Sequence, residues 1–118
     1  MKNLSLIFFL FISQIIFSQS LVDQIYNIED KLISWRHDFH KFPELSNREF
    51  ITSEKIAKHL ESLGINVKRN VGVNGVVGIL EGKSEGKVVA LRADMDALPI
   101  MENNGLPYQS VNKGVMHA

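Results

Sequence analysis

The chain has 118 residues, with 13 Lys and Arg set against 13 Asp and Glu, for a formal net charge of zero. That balance argues against nucleic acid or a strongly charged membrane surface as partner. Cysteine is absent, which excludes disulfide staples and a thiol nucleophile within these residues.

Residues 1–20 read as a removable secretory signal. Lys2 gives a positive start, residues 4–17 are mostly Leu, Ile and Phe, and Ser18-Gln19-Ser20 has the small-x-small spacing of a cleavage site, at Ser18 or Ser20. The apolar stretch is shorter than the roughly 20 residues that span a bilayer. It therefore competes poorly as a retained anchor, and no stable membrane span is expected once the signal is removed. It also lacks the polar face of a buried core helix. The remainder carries 12 basic and 13 acidic residues and is expected to be exported, to the periplasm or the medium.

Leu21, Ile25, Ile28, Leu32, Trp35 and Phe39 recur at alternating steps of four and three. This predicts one amphipathic helix with that stripe in the core. Phe42-Pro43 ends it, because a residue before proline is pushed out of the helical region. Ser46-Asn47-Arg48-Glu49 fits a capping box. A second helix is expected from there to about Leu63, with Phe50, Ile56, Ala57, Leu60 and Leu63 inward and Gly64 as the left-handed stop. Residues 65–70, 76–81 and 87–92 read as strands, the first two separated by Gly72-Val73-Asn74-Gly75 and the last two by residues 82–86. Val88-Val89-Ala90-Leu91 shows no polar alternation, as expected of a strand covered on both faces. Beyond Pro99, Asn103, Asn104, Gly105, Pro107 and Gly114 mark loop. The expected fold class is α/β, a mixed sheet with flanking helices.

The chemistry concentrates after the third strand. Asp94 and Asp96 stand one residue apart at its carboxyl end, where open α/β sheets gather ligands. Side chains two apart in an extended segment point the same way, so both carboxylates are expected to face one cleft. Arg92 shares that parity and can pair with Asp94, keeping it ionised. Asp-x-Asp by itself suits dinuclear-metal hydrolases, metal-dependent sugar transferases and aspartyl-phosphate phosphatases alike, and solvated aspartates in a strand-end turn are the bland alternative. His117, in Gly114-Val115-Met116-His117-Ala118, can bind metal, bond the backbone or orient a neighbour. His37 and His40 share a helical face, but Arg36, Asp38 and Lys41 around them favour a solvated polar surface. His40 can instead reach Glu44 or the loop that follows. His59 receives no role. Trp35, Phe39 and Phe42 read as core. Gly72 and Gly75 make no phosphate loop, and there is no Gly-x-Ser-x-Gly elbow.

Taken in order, Arg36-His37-Asp38-Phe39-His40-Lys41-Phe42-Pro43-Glu44-Leu45-Ser46, then Glu49 and Thr52, then Ala90-Leu91-Arg92-Ala93-Asp94-Met95-Asp96-Ala97-Leu98-Pro99-Ile100, then Gly114-Val115-Met116-His117-Ala118 resemble the amino-terminal part of the aminoacylase and carboxypeptidase type of metallopeptidase. The resemblance is to the amidohydrolase branch that holds hippurate hydrolases and auxin-conjugate hydrolases, and it runs from about Ile33 to Ala118. It implies residues 21–118 as the leading part of a di-metal peptidase catalytic domain of the phosphorylase/hydrolase-like kind, with a lid domain outside this chain. It implies two divalent metal ions, zinc or manganese, a small amide substrate, hydrolysis of N-acyl amino acids or peptide-like amides, and a homodimeric full-length form. Asp96 matches the aspartate that orients a metal-binding group without ligating the ion. Asp94 stands where the wider family has a histidine ligand, and His117 matches a residue beside the ligands. No metal ligand is assigned within the chain, so the chain alone is expected to be inactive. The rival functions are an aspartyl-phosphate phosphatase, with Asp94 as nucleophile and Asp96 as acid/base, and an exported binding module without catalysis.

Overall fold

The computed structural model describes residues 20–118, so the expected signal sequence lies outside the described residues. The described residues divide into two compact units, the first ending at Ser34 and the second running Trp35–Ala118. In the first, helix α1 (Leu21–Tyr26) opens on a capping box: the Ser20 hydroxyl accepts from the Asp23 amide at 3.1 Å and the Asp23 carboxylate accepts from the Ser20 amide at 3.3 Å. α1 does not run on as the single helix expected. Asn27 caps it and Ile28 closes a tighter turn onto the Ile25 carbonyl at 3.1 Å before α2 (Glu29–Lys41) begins. The predicted core stripe is also corrected in this unit, since Leu21, Ile25, Ile28 and Leu32 are all exposed.

The second unit starts with the end of α2, where Trp35 and Phe39 are half-buried. Phe42 is exposed rather than core, with the Lys55 ammonium 5.4 Å from its ring centre. α2 stops at Lys41 because Pro43, which is fully buried, has no amide to continue the ladder.

Helix α3 (Phe50–Ser62) follows a turn made possible by Asn47 at φ 62°. Its N-cap is Glu49, whose side chain makes no capping bond, so the Ser46–Glu49 box is not formed. The orphan amides of Ile51 and Thr52 donate instead to the two carboxylate oxygens of Glu44, at 3.2 and 2.7 Å. A carboxylate there also faces the positive end of the helix dipole. The far end behaves as read. Gly64 at φ 74° donates to the Glu61 carbonyl and Ile65 to that of Leu60, at 2.9 and 3.2 Å, the paired bonds of a Schellman stop. Ala57 is wholly buried, and Ile56 and Leu60 are half-buried. Phe50 and Leu63, expected inward, sit at the two ends of the helix and are exposed.

α3 packs on an antiparallel hairpin of β1 (Asn66–Val71) and β2 (Gly75–Ile79). The register runs from Asn66 opposite Ile79 to Lys68 opposite Val77, then shifts so that Val71 faces Gly75. The extra residue is absorbed by a bulge with Asn70 at φ 57°. A side chain on Gly75 would meet the Val71 carbonyl at 2.4 Å, so only glycine closes this turn.

The third predicted strand is not formed. Residues 87–92 carry no ladder, and Val88 and Leu91 are 95% and 97% exposed. A strand needs a neighbouring edge for its amides and carbonyls, and the hairpin supplies none to this segment. The chain is thus α/β, with helices and a two-stranded antiparallel sheet rather than a mixed one. Beyond it, Ala97 donates to the Glu44 carbonyl at 2.8 Å, and Leu98 and Met116 exchange bonds of 2.9 and 3.0 Å. No helix among the described residues is long and apolar enough to cross a membrane.

Candidate functional site

Asp94 and Asp96 line one hollow of about 470 Å³, walled also by Ser46, Glu49, Asn74 and Arg92. Three parts of the fold meet there: the turn entering α3, the turn of the hairpin, and the segment after the unpaired 87–92 stretch. The Arg92 guanidinium donates to Asp94 at 2.7 Å, the pairing that parity predicts. Both side chains are well exposed, so the pair is screened and contributes little to stability.

Glu49 and Asn74 are site residues that sequence reading missed. Both are buried, and the Asn74 amide donates to the Glu49 carboxylate at 3.1 Å across 25 residues of sequence. Burial alone would raise the Glu49 pKa. The Asn74 bond and the amides of the turn outweigh it and hold the carboxyl below its ordinary range. An Asn in a glycine-flanked turn reads locally as turn chemistry, and nothing in the sequence marks its partner.

His117 is carried into position by the Leu98–Met116 bridge. Its Nε2 atom is buried and makes no hydrogen bond among the described residues. Burial pushes its pKa down, the neighbouring His40 adds to that, and Asp96 opposes it. His117 is therefore held toward the neutral imidazole.

The solvated surface expected for His37 and His40 is corrected. His37 stacks on Tyr108 with ring centres 3.8 Å apart and planes 10° off parallel. His40 meets the same ring edge-on, and its Nε2 lies 2.7 Å from a carboxylate oxygen of Glu102. The partner of His40 is thus neither Glu44 nor the loop that directly follows α2, the two destinations expected of it, but a residue 62 positions further along the chain. Glu102 and Tyr108 fall in a stretch that reads as breakers and polar filler, which hides them. His59 packs edge-on against Trp35, with ring centres 4.5 Å apart.

Among the described residues no three His, Cys, Asp or Glu side chains converge as a metal-holding group. Asp94 and Asp96 offer oxygen donors, Glu49 is engaged by Asn74, and His117 lies across the Leu98–Met116 bridge. These residues alone do not make a two-ion site.

No family model matches the chain. Individual proteins do. It is 48% identical over 101 residues to thermostable carboxypeptidase 1 of Saccharolobus solfataricus, covering 85% of this chain and 26% of that one. It is 48% identical over 91 residues to N-acetyl-L-cysteine deacetylase of Bacillus subtilis (77% and 22%), and 39% identical over 99 residues to hippurate hydrolase of Campylobacter jejuni (84% and 26%). An aminohydrolase structure from methicillin-resistant Staphylococcus aureus superposes with a TM-score of 0.79 at 42% identity, over 83% of this chain and 26% of that one. The Bacillus subtilis YXEP protein, described as a dinuclear metal binding peptidase of the M20 family, gives 0.72 at 40% identity, over 78% and 26%. The fold is that of part of an M20 peptidase domain. The chain is homologous to an amino-terminal portion of the M20 peptidases and amidohydrolases, and it spans about a quarter of the length of the first of these relatives.

Proposed function

We propose that this chain is the amino-terminal part, residues 21–118, of the catalytic domain of an exported metal-dependent amidohydrolase. The complete gene product would cleave N-acyl amino acids or small peptide-like amides, as the names of the deacetylase and hippurate hydrolase suggest. The observation that carries the reading is the hollow that gathers Asp94 and Asp96 in a fold shared with the Staphylococcus aureus and Bacillus subtilis structures. In this reading Asp96 orients a metal-binding group from behind, and Asp94 stays tied to Arg92 at the rim. Two divalent ions, zinc or manganese, are held mainly by residues outside the described set, and the same holds for the group that moves the proton. Residues 87–92 become a covered strand of the larger sheet. The signal is removed on export, and the complete protein pairs as a homodimer.

The test is hydrolysis. The complete gene product, loaded with zinc or manganese, should release the free amino acid from hippurate or from N-acetyl amino acids, and Asp96→Asn should lower kcat about 10- to 100-fold. Residues 21–118 alone should release none and should bind zinc weakly in a calorimetric titration. No turnover by the metal-loaded complete protein on either substrate class, or tight stoichiometric zinc binding by residues 21–118, would overturn the proposal.

A further inference from the structure

The loop from residue 101 to residue 117 has no helix or strand, yet it is fastened at almost every step. Its centre is Glu102, whose side chain is only 3% exposed. One carboxylate oxygen takes His40 Nε2 at 2.7 Å and the Asn104 amide; the other takes the Ser110 backbone amide at 2.6 Å. The Glu102 carbonyl accepts from the Gln109 side chain at 3.2 Å. Tyr108, from the same loop, covers the rings of His37 and His40.

The fastening continues toward the site. Val111 donates to the Lys41 carbonyl at 3.0 Å, and the Asn112 side chain donates to that of Pro43 at 2.7 Å. Val115 donates to Asn112 at 3.0 Å, and Met116 then exchanges two bonds with Leu98. Leu98 follows Asp96 by two residues. Each link in the path from Glu102 to the Asp94–Asp96 segment is therefore a hydrogen bond or a covalent step.

Glu102 takes no part in walling the hollow, so its role is indirect. A buried carboxylate costs free energy unless its lone pairs are filled, and here three donors fill them. The Ser110 amide, His40 and Asn104 together overcome the effect of burial and keep the Glu102 pKa below its ordinary value. The loop therefore has one well-defined docking geometry on the end of α2 and strong reason to keep it.

We propose that Glu102 and His40 are positioning residues: they fix the backbone run from Ser110 to His117 against the segment that presents Asp94 and Asp96, and so set the geometry of the hydrolytic site. The inference rests on the amidohydrolase reading above for its consequence, though not for its geometry. Sub-ångström placement matters to such a site, because misplacement by about 1 Å from a remote change can cost about a hundredfold in rate.

The test uses the complete gene product loaded with zinc or manganese. Glu102→Gln keeps the shape but cannot serve all three donors, since whichever way the amide turns, its NH₂ opposes an N–H. His40→Ala removes one donor; His40→Gln restores a nitrogen near the Nε2 position. Glu102→Gln and His40→Ala should lower kcat for the preferred acyl amino acid by about ten- to a hundredfold with KM within about twofold, assayed well below the melting temperature. His40→Gln should recover most of that loss. Amide exchange at Ser110 and Met116 should accelerate in Glu102→Gln. Wild-type kcat in Glu102→Gln and His40→Ala overturns the proposal, even if Ser110 exchanges faster. So does an equal loss in His40→Gln and His40→Ala. If the wild-type protein cleaves no acyl amino acid, the hydrolase reading falls by itself. Exchange at Met116 then decides the positioning claim: acceleration in Glu102→Gln supports it, and unchanged protection overturns it.

Discussion

Two stretches of this molecule lack a helix or strand and could hardly differ more. Residues 97–117 are held by backbone and side-chain bonds to the end of α2 and to each other. Residues 80–92 end in the unbroken apolar run Val88-Val89-Ala90-Leu91, yet Leu80, Val88, Val89 and Leu91 stand in solvent. Regularity is therefore a poor guide to order. What separates the two is whether each backbone and buried polar group finds a partner among the residues present. The loop brings its own partners, chiefly Glu102 and Asn112. The apolar run needs a sheet edge that the hairpin does not lend it.

The sharpest way to break this contrast is Leu91→Asp. If the proposed strand is covered in the complete gene product, burying that charge should destabilise it by more than about 4 kcal/mol in a urea melt. If residues 87–92 stay exposed there too, the change should fall within about 0.5 kcal/mol, and the comparison would need another explanation. A smaller effect is expected on the partnered side. Asn74→Ala leaves the buried Glu49 carboxylate without its side-chain donor, at a cost of about 1–3 kcal/mol. Glu44→Ala should cost about 1 kcal/mol, since it removes the acceptor for two α3 amides while leaving the Ala97 bond to the Glu44 backbone intact.

The gentlest probe is pH. The His117 pKa is lowered from its ordinary 6.5 on folding. The unfolded chain therefore takes up the proton first as pH falls. Stability should be fully present above 6.5 and should decline as pH drops below 6.5 toward the folded value. His117→Gln should flatten that decline between urea melts at about pH 7.5 and about pH 5.5. An unchanged slope would show that His117 is not held neutral in the folded state.

What could be read along the chain were events decided by near neighbours. Pro43 ends α2, Gly64 stops α3, and Gly72 and Gly75 frame the hairpin turn, because each acts on its own backbone. The Arg92–Asp94 pair was legible for the same reason, its partners being two residues apart. The Ser46–Glu49 box failed because a distant competitor won: Glu44 lies seven and eight residues from the amides it caps. The His40–Glu102 pair spans 62 residues and the Asn112–Pro43 bond 69, beyond the reach of any local pattern. Sequence by itself thus determined where α2 and α3 stop and which acids stand together. Tertiary structure alone decided which polar groups are buried and by whom they are satisfied. That is a matter of non-local pairing, and a residue's own type records only that it needs a partner.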